Sequence, residues 1–323
     1  MNSPIMNKKM EISKKAQKNS KLKSAKGKVE EYRRKQKKSI DNITNDIRER
    51  IHFFIKNKYL KFSEKVKVVS ALHKLATSQK LILKRLVTPK DSPPYFSIGG
   101  YKIYFESEYE IDDRKELLKG ITHVISEGLL FPFFFSSQVN LNNEDIVLDI
   151  GAYIGVSSMI FSKKVRDKGR VYAIEPVMHN IIRKNTKENN IINIHVIPKA
   201  IGDKVGKAEV EISDYGGDAS ITKREYTKGY YTKKKVIDLT TLDILAEELE
   251  LERIDFIKID IEGAEELAIR GADKIIKKFK PKWSISSYHI DFKNEPQHRK
   301  LINLMLEYGY NVKEVSKKHI FAW

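Results

Sequence analysis

The stretch that decides the fold is "VLDIGAYIGVSS", residues 147–158. Its first four residues are typical of a buried strand, and two glycines separate them from residues that can begin a helix. A strand, a glycine turn and a helix together form the unit that usually holds a nucleotide-like cofactor. The sequence therefore predicts a cofactor site at this turn.

The glycine spacing and the charge of the turn argue against a dinucleotide. Three residues separate Gly151 from Gly155, whereas a dinucleotide-binding turn has the pattern G-x-G-x-x-G. A pyrophosphate would also be repelled by Asp149, the carboxylate at the end of the strand. S-adenosylmethionine has no phosphate and carries a sulfonium and an ammonium group, which an acidic strand end attracts. We therefore predict S-adenosylmethionine as the cofactor.

A second acid supports this cofactor. The next predicted strand lies within "GRVYAIEP" and ends in Glu175. A carboxylate there can accept hydrogen bonds from both hydroxyls of a ribose. Taken singly, Asp149 is more often a helix cap and Glu175 a surface charge. On consecutive strands around a two-glycine turn, the two acids together predict a cofactor site.

The chain around this unit alternates strands and helices. Strands are predicted at 145–150, 170–175, 193–198, 255–260 and 283–288, with two more around 209–239, a helix at 111–127, and hairpins at 95–105 and 310–323. Such alternation predicts an α/β fold in which helices cover both faces of a mostly parallel sheet.

The net charge of +18 is concentrated at the N-terminus. Residues 1–100 contain 26 Lys and Arg against 8 Asp and Glu, whereas residues 101–323 contain 35 of each kind. This asymmetry indicates a basic extension on a neutral domain.

We divide the chain accordingly into four segments. They are a basic tail at 1–43, disordered or a solvated helix; an amphipathic helical segment at 44–92, with helices between 44 and 87; a lead-in hairpin and helix at 93–140; and a cofactor-binding domain at 141–323. The tail contains too little apolar surface to offset the entropy of ordering it.

Composition excludes some chemistry and leaves partners open. The absence of cysteine excludes disulfides, thiolate metal ligands and cysteine nucleophiles. Without a secretory signal or an apolar run of roughly 20 residues, we expect a cytoplasmic protein. Residues 1–90 leave open contact with nucleic acid or with an anionic membrane surface, to which the protein would be peripheral.

A second group of polar residues follows two later strands. "FIKIDIEGAE", residues 256–265, places Asp260, Glu262 and Glu265 at the carboxyl end of an apolar strand, and "KWSISSYH" brings Tyr288 and His289 to the same edge. Ligands of open α/β sheets bind at that edge. His289, with an ordinary pKa of about 6.5, is a candidate general base, and Asp260 is the other.

Each of these residues also has a structural alternative. His289 can be a core histidine, Glu262 can cap the following helix, and Glu265 can face solvent. Glu262 and Glu265 can also bind a divalent cation, although we expect a metal-independent site, with no metal ligands.

The motifs "VLDIGAYIG", "AIEP", "IPKAIGD", "DASI", "LTTLDIL" and "IKIDIEGAE", in this order, resemble the FkbM family of S-adenosylmethionine-dependent methyltransferases. The resemblance extends from about residue 140 to the end. It implies a Rossmann-like class I methyltransferase fold, with a seven-stranded, mostly parallel sheet whose last strand is antiparallel. It also implies O-methylation, typically of a hydroxyl on a sugar or a polyketide-like small molecule, and we expect the acceptor to be a sugar, a glycan or a sugar-bearing small molecule.

The resemblance also implies roles for particular residues. Asp149, Gly151, Tyr153 and Gly155 would contact the methionine part of the cofactor and Glu175 its ribose, and we add Pro176, Ala200 and Asp260 to the cofactor site. Asp260 and His289 are the expected catalytic residues, and Glu262, Glu265 and Tyr288 are expected to bind the acceptor.

Two other functions stay open at this stage. An RNA methyltransferase would use the basic N-terminal arm, although "DIEG" stands where many RNA N-methyltransferases have an N/D-P-P-Y/F tetrapeptide. A non-enzymatic interaction protein would keep the fold without the activity.

Overall fold

The strand that precedes the glycine turn lies in the middle of a seven-stranded sheet in the computed structural model of the protein. The structure describes residues 86–87, 95–98, 101–104, 139–213, 219–220, 231–291, 295–316 and 319–323. All of these belong to one compact unit, Ile82–Trp323.

The strands of the described residues are, in chain order, β1 (Leu86–Val87), β2 (Tyr95–Ile98), β3 (Tyr101–Tyr104), β4 (Ile146–Ile150), β5 (Arg170–Ile174), β6 (Ile194–Ile197), β7 (Ala200–Ile201), β8 (Gly206–Ser213), β9 (Ala219–Ser220), β10 (Tyr231–Thr240), β11 (Phe256–Ile259), β12 (Lys282–Ser286), β13 (Val312–Ser316) and β14 (His319–Ala322). The helices are α1 (Val156–Val165), α2 (His179–Glu188), α3 (Leu242–Glu248), α4 (Glu265–Arg270), α5 (Asp273–Phe279) and α6 (His298–Glu307).

The large sheet has the order β13-β14-β12-β11-β4-β5-β6. Neighbouring strands from β12 to β6 run parallel, and β14 is antiparallel to both of its neighbours. The predicted class I methyltransferase sheet, with its last strand antiparallel, is therefore confirmed. The predicted parallel strands correspond to β4, β5, β6, β11 and β12.

Both faces of the sheet are covered, as parallel strands require. Successive side chains of a strand point to opposite faces. Leu148 accordingly packs in the core on one side with Ile257, while Val147 packs on the other side with Phe161 and Phe256. Burying an aliphatic side chain of this size contributes about 1.5–3 kcal/mol, so these two cores hold the central strands in register.

Two smaller sheets accompany the large one. β8 and β10 form the antiparallel part of a sheet with the order β7-β10-β8-β9, which accounts for the two extra strands predicted around 209–239. β2 and β3 form the hairpin predicted at 95–105, and Asn185 of α2 binds its backbone at Tyr104. The closing hairpin is confirmed as β13 and β14.

One prediction is wrong at its edge. Leu86–Val87, the end of the predicted helices between 44 and 87, is a strand that pairs with β2. The pairing partner lies beyond the intervening Pro-containing segment, so a helical periodicity could not reveal it. The rest of that segment and the predicted helix at 111–127 lie outside the described residues, and the four segment boundaries stay predictions. Within the described parts of the chain, no helix is both long and apolar enough to cross a bilayer.

Candidate active site

The carboxyl ends of the central strands bring the predicted site residues to one edge of the sheet. Ile150 at the end of β4 is level with Ile174 of β5 and with Ile259 of β11. The next residues along these strands are Gly151, Glu175 and Asp260, so the turn and the two acids meet here. This edge is where open α/β sheets bind their ligands.

The turn after β4 depends on glycine for two reasons. Gly151 and Gly155 have φ angles of 75° and 87°, in the left-handed region that glycine adopts without strain. A Cβ atom at Gly151 would also lie 1.9 Å from the carbonyl oxygen of Asp260, and one at Gly155 would lie 2.9 Å from Ile182. Close packing of the turn against β11 and α2 therefore requires these glycines. This is a second role, besides the predicted one of letting a cofactor approach the backbone.

Asp149 lies beneath the turn. Its side chain is fully buried, and its Oδ2 accepts hydrogen bonds of 2.6 Å from both Ser157 and Ser158 at the start of α1. The Nζ of Lys258 lies 3.3 Å from its Oδ1 and donates a hydrogen bond to the carbonyl of Gly151. Asp149 thus fixes the turn and the helix start, while its predicted direct contact with the cofactor stays a prediction.

Glu175 presents its carboxylate beside the turn. Oε1 accepts hydrogen bonds from the backbone N–H groups of Val177 and Met178, and Oε2 accepts one from Tyr153. Burial raises the pKa of Glu175, and these backbone hydrogen bonds oppose the rise. A carboxylate oxygen can accept two hydrogen bonds, so Oε2 retains capacity for a ribose hydroxyl. This arrangement fits S-adenosylmethionine.

The remaining cofactor residues differ in their surroundings. Tyr153 is half-buried with a left-handed φ of 52°, and Pro176 is also half-buried. Ala200 lies in β7, buried in a cluster that includes the partly buried Val177. Ala200 is thus next to the residues that follow Glu175, and its predicted place in the cofactor site stays a prediction.

His289 connects the three acids at the end of β11. Its Nδ1 lies 2.7 Å from Oε1 of Glu265, and its Nε2 lies 3.6 Å from Asp260 and 3.5 Å from Glu262. Two left-handed residues in succession, Glu262 and Gly263, form the tight turn that arranges these carboxylates. The structure therefore brings together the residues that we predicted for catalysis and acceptor binding.

Glu265 is fully buried rather than facing solvent. Oε1 also accepts a hydrogen bond from the backbone N–H of Ile261, and Oε2 accepts hydrogen bonds from Gly263 and from Nε2 of Gln297. The two oxygens of Glu265 thus accept four hydrogen bonds, so Glu265 supports the site by holding His289 and the turn in place. Its predicted contact with the acceptor stays a prediction.

The ion pair with Glu265 changes the expected chemistry of His289. Burial alone would lower the pKa of His289, but the charge of Glu265 and the neighbouring Glu262 carboxylate raise it well above the usual value. Burial alone would raise the pKa of Glu265, but the positive charge of His289 outweighs burial, so the pKa of Glu265 is lowered. The ordinary pKa on which we based the general-base hypothesis therefore does not apply to this histidine.

Tyr288 borders the cluster on its solvent side. Its side chain is 51% exposed, and its ring centroid lies 4.0 Å from that of His289. An exposed aromatic ring beside polar groups is a common feature of a small-molecule site.

Sequence reasoning assigned no site role to three residues that support the turn and the cluster. Lys258 offered a signal, because a lysine inside an apolar strand needs a buried partner. Ser157 and Gln297 offered none, since only the fold brings them to Asp149 and Glu265.

The strand order, the two-glycine turn and the acids at the sheet edge define a class I methyltransferase fold. The family profile described as "Methyltransferase FkbM domain" matches residues 149–312, which is 164 of 323 residues. The chain therefore belongs to the FkbM methyltransferase family, which confirms the prediction of an S-adenosylmethionine-dependent methyltransferase.

Three solved structures are among those to which this chain is similar. Methyltransferase FkbM from Methylobacillus flagellatus KT is 18% identical with a TM-score of 0.41, over 79% of this chain and 60% of that protein. An S-adenosylmethionine-dependent methyltransferase from Aquifex aeolicus is 15% identical with a TM-score of 0.37, over 62% and 95% of the two chains. Aeropyrum pernix fibrillarin, solved with natively bound S-adenosylmethionine, is 12% identical with a TM-score of 0.37, over 73% and 91%. The search of curated proteins found no match.

Proposed function

We propose that the protein transfers a methyl group from S-adenosylmethionine to a hydroxyl of a sugar, a glycan or a sugar-bearing small molecule. One observation carries this proposal: the Glu175 carboxylate beside the glycine turn and the cluster of Asp260, Glu262 and His289 lie at the same edge of the sheet. This arrangement supports a donor site and a proton-accepting site side by side.

The donor half of the site rests on Glu175 and the turn. When bound, S-adenosylmethionine supplies a methyl group attached to a cationic sulfur. Glu175 holds the ribose hydroxyls, and the backbone of Gly151 and Tyr153 supports the methionine part. Fixing the two reactants in line contributes roughly 7–11 kcal/mol toward the barrier of such a displacement.

The acceptor half rests on Asp260. An acceptor hydroxyl loses its proton as its oxygen attacks the methyl carbon, and a carboxylate within hydrogen-bond reach can take that proton. Asp260 is partly exposed at the edge of the cluster, whereas the side chain of His289 is almost completely buried. We therefore assign the proton-accepting role to Asp260 and acceptor binding to Glu262 and Tyr288.

The chemistry of the acceptor is argued from the same residues. Carboxylates accept hydrogen bonds from several hydroxyls, and the exposed ring of Tyr288 offers a flat apolar surface to the C–H face of a sugar. Family membership supports methyl transfer as the reaction, and the family resemblance supports oxygen as the acceptor atom.

Two measurements test the proposal. Incubating the full chain with tritiated S-adenosylmethionine and a saccharide fraction should label saccharide and leave an RNA fraction unlabelled. Mass spectrometry of glycans and small metabolites from cells lacking the protein should show a species lighter by 14 mass units, the mass of one methylene. Label in RNA alone would overturn the choice of acceptor.

A variant pair tests the role of Asp260. Asp260→Asn should lower kcat by about 10²–10⁴-fold, the usual contribution of a positioned base. Asp273→Asn is a matched control because its carboxylate pairs with Lys277 on the exposed surface of α5, and it should leave kcat unchanged. Equal kcat values for the two variants would remove Asp260 from the mechanism.

The RNA alternative rests on residues 1–90, of which the structure describes none before 86. It therefore stays a prediction, and the labelling experiment above decides it. Family membership argues against the non-enzymatic alternative.

A further inference from the structure

Nε2 of the buried His289 imidazole faces two carboxylates without forming a hydrogen bond to either of them. Its side chain is only 3% exposed, and Nε2 makes no hydrogen bond within the described part of the chain. Carboxylate oxygens of Asp260 and Glu262 nevertheless lie 3.6 and 3.5 Å from this atom. Ordinary N–H···O hydrogen bonds have lengths of about 2.7–3.2 Å, so these separations are too long.

The same separations suit ligands that share a metal ion. Nitrogen and oxygen ligands lie about 2.0–2.2 Å from a zinc-like cation, and two ligands at a tetrahedral angle are then about 3.4 Å apart. Nε2 of His289 stands at nearly this distance from both carboxylates. Asp260 and Glu262 are only partly buried, so both side chains can adjust, and solvent or substrate can reach a cation held between them.

The other nitrogen of His289 is held as in known metal sites. Metal-bound histidines usually donate their second N–H to a carboxylate, which fixes the ring and its tautomer. Nδ1 lies 2.7 Å from Glu265, which Gln297 and two backbone N–H groups hold in place. This contact directs Nε2 toward Asp260 and Glu262.

Glu265 also has an oxygen close enough to be considered a ligand. Suitable atoms of Asp260, Glu265 and His289 all lie within 4.8 Å of one another. The oxygens of Glu265 already accept four hydrogen bonds from the protein, however, whereas Glu262 is directed at the orphaned nitrogen. Glu265 is therefore the residue that orients His289, and Glu262 is the ligand.

We propose that His289 Nε2, Asp260 and Glu262 bind a divalent transition-metal ion, oriented by Glu265, at the acceptor end of the site. One imidazole and two carboxylates favour Mn²⁺ or Zn²⁺ over Ca²⁺ or Mg²⁺, which prefer oxygen ligands alone. This replaces our expectation of a metal-independent site, and it rests on the proposed function only for the assignment of this end to the acceptor. Open coordination positions would bind the acceptor hydroxyl in place of Glu262, and the second carboxylate oxygen of Asp260 would take the proton of that hydroxyl.

Direct metal binding tests this site without any methyl transfer. The full chain is freed of metal with EDTA, and Mn²⁺ is titrated in by calorimetry and by electron paramagnetic resonance, in the absence of cofactor and acceptor. One Mn²⁺ per chain is expected. His289→Gln should lose most of the affinity, and Glu265→Gln should lose about 10–100-fold, as is typical when the group that orients a ligand is removed.

Glu266→Gln is the matched control, because Glu266 is adjacent to Glu265 but pairs with Arg270 on the surface. It should bind Mn²⁺ like the unmodified chain. Asp260→Asn is a second ligand variant in case His289→Gln does not fold, which circular dichroism would show. Absence of 1:1 binding of both Mn²⁺ and Zn²⁺, or equal affinities in the ligand variants and in Glu266→Gln, would overturn the proposal. Separate calorimetry with S-adenosylmethionine in EDTA distinguishes a failed metal site from a failed cofactor site.

Discussion

At the scale of single residues, the ion pair between Asp149 and Lys258 supports the glycine turn from below. Both side chains are almost completely buried, and each also binds the turn or the start of α1. A buried charge without its partner is costly, so neither residue can be removed alone without strong destabilisation. The pair therefore links β4, β11 and the glycine turn.

Lys258→Met should lower the free energy of unfolding by about 3–5 kcal/mol, because Asp149 would keep a buried and unpaired charge. Lys274→Met is a matched control, since Lys274 pairs with Glu247 on the exposed surface and its loss should leave the free energy of unfolding almost unchanged. Urea unfolding followed by circular dichroism measures both. Similar decreases in the free energy of unfolding in the two variants would show that the buried pair stabilises the protein no more than a surface pair.

Gly151→Ala should destabilise the protein more than Gly309→Ala. Both glycines have positive φ angles, so alanine at either position costs about 1 kcal/mol for the left-handed backbone. Only at Gly151 does the new Cβ also meet the carbonyl oxygen of Asp260, whereas nothing lies within 4 Å at Gly309. Equal losses of unfolding free energy in the two variants, measured by urea unfolding, would contradict this expectation.

At the scale of elements, β14 contains a buried histidine that connects it to the core of the sheet. Nε2 of His319 lies 2.9 Å from the hydroxyl of Ser284 in β12, and its backbone pairs with Ser286. Burial, together with the charge of Lys258, lowers the pKa of His319 to about 3. The histidine is therefore neutral in the folded protein at any pH above that value.

This lowered pKa gives the fold a predictable sensitivity to acid. In the unfolded chain His319 becomes protonated near pH 6.5. The stabilisation of the folded state by neutral His319 is therefore fully present above that pH and is lost as the pH falls toward about 3. His319→Gln should flatten the fall in unfolding free energy across this range, by up to about 1.4 kcal/mol per pH unit. Chemical denaturation at several pH values measures the slope, and an unchanged slope would exclude His319 as its cause.

Elements with a local pattern could be predicted, and those with a non-local cause could not. β4, β5 and β11 are apolar runs bounded by turn residues, so their positions follow from the sequence. β1 forms only by pairing with β2, and a strand of two residues is too short to show an alternating sequence pattern.

The site shows the same division. Residues at strand ends, such as Glu175 and Asp260, could be placed because parallel strands end at a common edge. The inward direction of Glu265, its hydrogen bond from Gln297 and the salt bridge beneath the turn depend on tertiary packing. For that reason the sequence could suggest His289 as a base but could not show that Glu265 would raise its pKa.

At the scale of the whole molecule, charge and site are separated along the chain. The excess of Lys and Arg lies within residues 1–100, whereas the residues proposed for cofactor and acceptor binding all lie in the electrically balanced part, 101–323. A balanced domain offers little attraction to a polyanion, which agrees with a neutral acceptor such as a sugar. What the basic extension binds stays a prediction.

We infer that the edge of the sheet beside the glycine turn binds S-adenosylmethionine. The most direct test is a crystal structure of the full chain with S-adenosylhomocysteine. We expect ribose hydroxyls within hydrogen-bond distance of Glu175 and the amino-acid part against Gly151 and Tyr153. A ligand bound elsewhere, or a phosphate ion at this turn in its place, would contradict it.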